Sequence, residues 1–279
     1  MTSERFSRNE ALFGAEGQQR ISANRACIVG LGGLGSHVAQ QLAYLGVRDY
    51  ALIDFDIVTG SSMNRMIGAI DADVGAGTKK IAVAERTIKA IDPNASVDLF
   101  DMRVEAPEAE PAIASADVVF GCLDRDLPRL QLTELCARYA MPFFDLASDT
   151  GDQGDELWYG GRVVFANGSG CLFCYGVLDQ GEITRDSLLP AQREDLDRLY
   201  GVARRSLGET GPMVVSLNGA VASLAVTEFM VFVTGMRAPA PQLVYRGHEP
   251  SVRRAIDPPD PECIFCHGIW GSRKSSVGQ

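Results

Sequence analysis

The sequence predicts an α/β fold, a doubly wound and mostly parallel sheet extended by antiparallel strands, and three observations predict it. Short apolar strands alternate with helical segments as far as residue 150, the pattern of a parallel sheet with crossover helices. A glycine-rich turn, Gly30-Leu-Gly32-Gly33-Leu-Gly35, lies between the first strand and the helix after it, the context in which such a loop binds a nucleotide. Two Cys-x-x-Cys pairs, Cys171-Leu-Phe-Cys174 and Cys263-Ile-Phe-Cys266, frame the second half of the chain. Together they describe a Rossmann-like sheet stapled by a four-cysteine zinc site.

The elements follow in order. Residues 5–20 read as a short amphipathic helix, part of an N-terminal helical extension over 1–24. The nucleotide-binding core spans 25–150. Its first strand is Arg25 to Gly30, a helix opens at Gly32 and runs to about Leu45, and Asp49 to Asp54 is the second strand. A helix from Gly77 to Ile91 ends at Asp92-Pro93; Ser96 to Asp101 and Ala116 to Cys122 are strands three and four. A helix over Pro128 to Tyr139 precedes a fifth strand, Pro142 to Leu146. From 151 to 270 the pattern changes to a zinc-stapled part of the same domain. Trp158 to Phe165 reads as an antiparallel strand, 179–211 as a long mobile loop, and Met213 to Val233 as a buried helix. Gln242 to Tyr245 and Ser251 to Ile256 close the sheet, and 271–279 is a flexible tail.

Composition narrows the classes of function. With 279 residues, 46% hydrophobic and 22% charged, the chain can bury a full core. A net charge of −10 argues against a phosphate-backbone binder, whose affinity comes from clustered Lys and Arg. The N-terminus has no apolar signal region. The apolar Met213–Val233 stretch carries Glu228, costly at mid-bilayer, so a core helix is expected, no membrane, and a cytoplasmic location with reduced thiols.

The nucleotide loop has an acidic partner. The glycines permit close approach of backbone to phosphate, and the helix N-terminus favours its charge. Asp54 ends the second strand, where it would take ribose hydroxyls. This much also describes an NAD enzyme. Arg65 and Lys80, after strand two, supply cations for a triphosphate, Asp124 just past strand four suits Mg²⁺, and Arg8 lies in an extension a minimal dinucleotide fold does not need. These move the reading to ATP.

For the cysteines, two residues between thiolates let one turn present both sulfurs, and two such turns complete the tetrahedral shell of structural Zn²⁺. The pairs are 88 residues apart, so the metal would join distant segments rather than fold a local finger. Disulfides or a redox Cys-x-x-Cys are the alternatives. The absence of a signal region and the loop positions of both pairs weigh against them.

Around these residues the chain resembles the ThiF/MoeB adenylyltransferases, bacterial relatives of ubiquitin-activating enzymes, over roughly residues 5–268. The matching motifs are Arg5-Phe-Ser-Arg8-Asn9, the glycine loop, Asp54-Phe-Asp56, Ser61-Ser-Met-Asn64-Arg65 followed by Lys80, Asp124, and the two cysteine pairs. The resemblance implies that Gly33, beside Gly32, admits the α-phosphate, and that Asp54 binds the ribose with Asp56 in the same motif. It implies that Asn64, Arg65 and Lys80 neutralise the triphosphate, that Asp124 holds Mg²⁺, and that Arg8 is an arginine finger given by the second subunit of a homodimer. Arg8, Arg65, Lys80 and Asp124 would be the catalytic set, and Cys171, Cys174, Cys263 and Cys266 the zinc ligands. The substrate would be the C-terminal carboxylate of a small ubiquitin-like or sulfur-carrier protein, already ionised at neutral pH, so that no general base is needed.

Two departures stand out. Ser62 replaces a usual Asn, and Arg125 follows Asp124 where many members have Asn. Residues 179–211 contain no cysteine, so adenylation without an enzyme thioester is expected, and Cys27, Cys122 and Cys136 read as small buried hydrophobes. A ribosomal peptide or a tRNA-linked carboxylate is the alternative acceptor, and a non-catalytic carrier-binding subunit the alternative class.

Overall fold

The computed structural model describes residues 4–153, 156–188, 213–255 and 257–272. Its strands are β1 (Arg25–Val29), β2 (Asp49–Ile53), β3 (Ser96–Phe100), β4 (Val118–Gly121), β5 (Phe143–Gln153), β6 (Glu156–Ala166), β7 (Gln242–Arg246) and β8 (Ser251–Arg254). They form one sheet in the order β3-β2-β1-β4-β5-β6-β7-β8. The pairs from β3 to β5 are parallel and those from β5 to β8 antiparallel. Position 150 falls inside β5, so the sheet runs unbroken through the point where the sequence grammar changes.

The helices are α1 (Ser7–Ala23), α2 (Gly33–Leu45), α3 (Asp71–Ala76), α4 (Lys80–Ile91), α5 (Ala109–Ala114), α6 (Asp126–Tyr139), α7 (Gln180–Ser187) and α8 (Val215–Thr234). Both faces of the central parallel strands β2, β1 and β4 are covered, and β1 shows why its sequence is a continuous apolar run. Ala26 and Ile28 point into a layer with Val38 and Leu42 of α2, Ile81 and Ile88 of α4, and Val221 and Phe229 of α8. Cys27 and Val29, one residue out of phase, point into a second layer with Ala112 and Ile113 of α5 and Leu132 and Cys136 of α6. Period-two alternation with both faces buried is the packing logic of a central parallel strand. Phe120 and Phe144 stack at 5.4 Å in the first layer.

The helix α8 is long and apolar enough by composition to cross a membrane, yet it is packed inside this fold. Val221, Ala222, Ala225 and Phe229 are fully buried, against α2 and the sheet. Its Glu228 is 3% exposed and is fully satisfied. Arg237 donates to its two oxygens at 2.8 and 2.6 Å, and the Ala240 N–H at 2.7 Å. A buried carboxylate with these three donors is tolerated.

Several boundaries differ from the sequence expectation, each for a local reason. The N-terminal helix extends to Ala23 and is broken at Gly14, whose φ of 76° is not helical. The helix expected from Gly77 starts at Lys80, because Gly77, with φ of 61°, caps α3. The fifth strand runs on to Gln153 rather than stopping at Leu146: its polar second half pairs residue by residue with β6, a non-local contact that local propensity does not report. The mobile loop expected over 179–211 is ordered at its start, where the Asp179 carboxylate caps α7 by accepting from the Gly181 and Glu182 N–H groups. Residues 189–211 of that segment, Ile256 and 273–279 of the tail lie outside the described residues.

Candidate active site and metal centre

The chain turns from β1 to β2 and β3 on one side and then to β4 on the other. This leaves a crevice at the carboxyl ends of β1 and β4, where open α/β sheets bind ligands. A cavity of about 950 Å³ opens there. Gly30, with φ of 88°, makes the turn out of β1; a Cβ on it would lie 2.6 Å from the Cys122 carbonyl oxygen. The first turn of α2 then points its free N–H groups at the cavity.

Of the expected site residues, Gly32, Gly33, Asp54, Asp56, Arg65, Lys80 and Asp124 all line this cavity. Asp54 is 7% exposed and is engaged with the loop itself. Its Oδ2 accepts from the Leu31 N–H at 2.6 Å and its Oδ1 from the Asp56 N–H at 2.8 Å. Burial pushes its pKa up, against the pull of Lys80 and these two N–H groups. Asp54 thus sets the shape of the glycine loop as well as facing the cavity. The neighbouring Asp56 accepts from Lys80 Nζ at 2.7 Å, which holds the ammonium in the cavity wall. Asp124 is exposed in the loop between β4 and α6.

Two expected residues stand apart. Asn64 does not line the cavity: its Nδ2 donates to the Met213 carbonyl at 3.0 Å, just ahead of α8, and its Oδ1 accepts from Arg65 at 3.3 Å. Arg8 is exposed on α1, away from the cavity. Asn9 beside it donates to the Leu45 carbonyl, at the opposite end of α2 from the glycine loop.

The two departures from the family pattern have structural reasons. Ser62 is buried, and its hydroxyl accepts from the Thr59 N–H at 3.2 Å, closing the turn that presents Arg65. Arg125 lines the cavity and is ion-paired with Asp186 of α7.

Sequence reading missed a charged frame in the cavity wall. Arg129 donates to Asp126 at 3.1 Å and lies 3.7 Å from Asp145. Asp145 is fully buried on β5, and Arg162 approaches from β6. Burial raises the Asp145 pKa while Arg129 and Arg162 lower it; burial likewise depresses Arg162. The available signals were a lone acid inside the apolar Phe143-Phe144-Asp145-Leu146 run and the i,i+3 spacing of Asp126 and Arg129 at a helix start.

The four cysteines meet. Cys171, Cys174, Cys263 and Cys266 have their sulfurs within 4.8 Å of one another, and Cys171 and Cys263 are 3.5 Å apart. A tetrahedral site with Zn–S near 2.3 Å needs sulfurs about 3.8 Å apart, so the cluster fits one Zn²⁺. The Cys171 N–H points at Cys174 Sγ at 3.0 Å, the donor a metal-bound thiolate requires. All four are unpaired thiols, against the disulfide alternative, and His267 is exposed outside the cluster. The metal would tie the loop after β6 to the segment after β8, under α6. Cys27 and Cys136 are buried in the second layer; Cys122 is half-buried and touches the cavity. Burial pushes the Cys27 thiol up to about 12 and raises Cys122 and Cys136 as well.

The chain is similar to several known proteins. The molybdopterin-synthase adenylyltransferase of Escherichia coli is 29% identical over 228 residues, covering 82% of this chain and 80% of that protein. The sulfur carrier protein ThiS adenylyltransferase of E. coli is 27% identical over 243 residues, 86% of this chain and 84% of that one. The SAMP-activating enzyme E1 of Haloferax volcanii is 33% identical over 141 residues, about half of each chain. Among solved structures, E. coli MccB with ATP superposes with a TM-score of 0.69 at 19% identity, covering 95% of this chain and 75% of that one, a likeness of fold. Residues 6–264 match the ThiF family. The chain belongs to the ThiF family, as an enzyme of the ThiF/MoeB adenylyltransferase type.

Proposed function

We propose that this protein uses ATP and Mg²⁺ to adenylate the C-terminal carboxylate of a small ubiquitin-like or sulfur-carrier protein, as a cytoplasmic homodimer and without an enzyme thioester. The observation that carries the reading is the convergence of the glycine loop, Asp54, Asp56, Arg65, Lys80 and Asp124 on one cavity. The names of the two E. coli adenylyltransferases support the substrate class. In the reaction a carboxylate oxygen attacks the α-phosphorus, an acyl–phosphate bond forms, and the bond to pyrophosphate breaks. Asp54 and Asp56 would hold the ribose, and Gly32 and Gly33 would admit the α-phosphate. Arg65, Lys80 and a partner's Arg8 would offset the charge of the leaving pyrophosphate, with Asn64 holding Arg65 in place. Asp124 would hold Mg²⁺, which supplies further charge neutralisation. Catalysis is then positioning and electrostatics. The burial of Cys27 and Cys136 away from the cavity, and the absence of any cysteine from 179–211, support a route without an enzyme thioester, since the nucleophile must be an accessible thiolate.

The test is exchange of radiolabelled pyrophosphate into ATP with candidate carrier proteins, compared with the same carriers amidated at the C-terminus and with free peptides. Exchange that needs both Mg²⁺ and a free carrier carboxylate is the expected result. Exchange with peptides alone would move the substrate to a peptide, and binding of NAD without ATP would refute the nucleotide assignment.

A further inference from the structure

Asn218, on the first turns of α8, is fully buried, yet its amide nitrogen has no hydrogen-bond partner. Its other amide atom is held firmly: Oδ1 accepts from the Ser148 hydroxyl at 2.7 Å. That bond turns Nδ2 toward Gly33, where a Cβ would lie 2.2 Å from it. An unpartnered buried donor is expensive and rare in native proteins, so this one points to a ligand acceptor. Gly33 is the first residue of α2, and the unpaired N–H groups of that turn form an anion-binding end. The aliphatic part of Arg65 stands on the same glycine, with its Cδ 3.3 Å from the Cβ position. Ser148 and Gly33, which flank the amide, both line the cavity.

We propose that Asn218, aligned by Ser148, is a further phosphate-binding residue whose Nδ2 donates to the α-phosphate seated on the first turn of α2. The proposal rests on the nucleotide reading of the cavity and deepens it. Position 33 is then glycine for two reasons: the phosphate must approach the backbone, and the amide must reach past it. The Asn218 signal was invisible in sequence because it stands in an apolar helix about 185 residues downstream of the loop it serves.

The test compares the affinities of adenosine, AMP and ATP in the presence of Mg²⁺, by calorimetric titration, for the wild type and for Asn218→Asp, Asn218→Leu and Ser148→Ala. Asn218→Asp keeps the acceptor for Ser148 and removes the donor. AMP and ATP should bind about ten- to a hundredfold more weakly to it, the loss expected for a hydrogen bond to a charged group, while adenosine binding stays within about twofold. Asn218→Leu, of similar size, should give the same phosphate-selective loss with a native circular dichroism spectrum, and Ser148→Ala a smaller one. Equal weakening of all three ligands would reduce Asn218 to a packing residue and overturn the proposal, as would unchanged AMP affinity in folded Asn218→Asp. A wild type that binds none of the three would overturn the nucleotide reading itself, and this proposal with it.

Discussion

If the reaction proceeds as proposed, Arg8 must act on the neighbouring subunit, and distance is the reason. Asn9 is hydrogen-bonded to the Leu45 carbonyl at the carboxyl end of α2, whereas the glycine loop is at its amino end. Thirteen residues of helix at 1.5 Å each place the two ends about 20 Å apart, far beyond the span of one arginine side chain. A chain with Arg8→Ala and a chain with Asp124→Ala should each lose activity by about a hundredfold, the scale of a removed charge contact in a transition state. Mixed in equal amounts with subunit exchange, half of the dimers are heterodimers. In each of these one site keeps both groups and the other has neither. Recovery should therefore approach about a quarter of wild-type pyrophosphate exchange, from about a hundredth for either variant alone. The assay is exchange rate against mixing ratio, with subunit exchange followed by two affinity tags. Activity remaining near a hundredth despite proven heterodimers, or a chain that is monomeric while active, would refute the argument.

Other outcomes follow from the same geometry. Lys80→Ala and Arg65→Ala should weaken ATP binding and exchange strongly while leaving adenosine binding nearly unchanged, by calorimetry. Metal analysis should return about one zinc per chain, and Cys174→Ser should lose on the order of 3 kcal/mol, a fall in Tm of roughly 5 °C for a chain of this length, with nucleotide affinity retained in the folded fraction. Incubation with ATP, Mg²⁺ and a carrier, followed by a non-reducing gel, should give no thiol-sensitive adduct, and Cys27→Ser and Cys136→Ser should leave exchange intact; an adduct abolished by either change would refute the thioester-free route. Asp73 accepts two bonds from Arg86 that hold its pKa down at about 2, below its ordinary 3.8. A depressed carboxylate stabilises the fold above its ordinary pKa, and that contribution is lost as pH falls through about 2. Arg86→Met should then remove on the order of 1 kcal/mol at pH 7, with the difference from wild type shrinking in acid as unfolding is followed by circular dichroism.

The nucleotide loop was legible because its chemistry is local: four glycines within six residues, bounded by an apolar strand and a helix, require no distant partner to be recognised. The two Cys-x-x-Cys turns were legible for the same reason, each presenting two sulfurs from four consecutive residues. The parallel class was likewise readable, because short apolar strands alternate with helical segments along the chain, although the order of the strands in the sheet was not. What sequence could not reach depends on pairs brought together across the fold. Asp145 reads as an anomaly in an apolar strand until Arg129 and Arg162 stand beside it. The second half of β5 is polar and becomes a strand only by pairing with β6. Asn218 carries no motif at all, and its meaning comes from Ser148 on one side and Gly33 on the other. Local sequence therefore determined the parallel strands, the phosphate loop and the metal turns, because backbone geometry and ligand spacing are short-range properties. Tertiary structure alone decided that Asp126, Arg129 and Arg162 join the expected charges in the cavity wall and which buried donor lacks a partner, because desolvation and hydrogen bonding depend on neighbours far away in the chain.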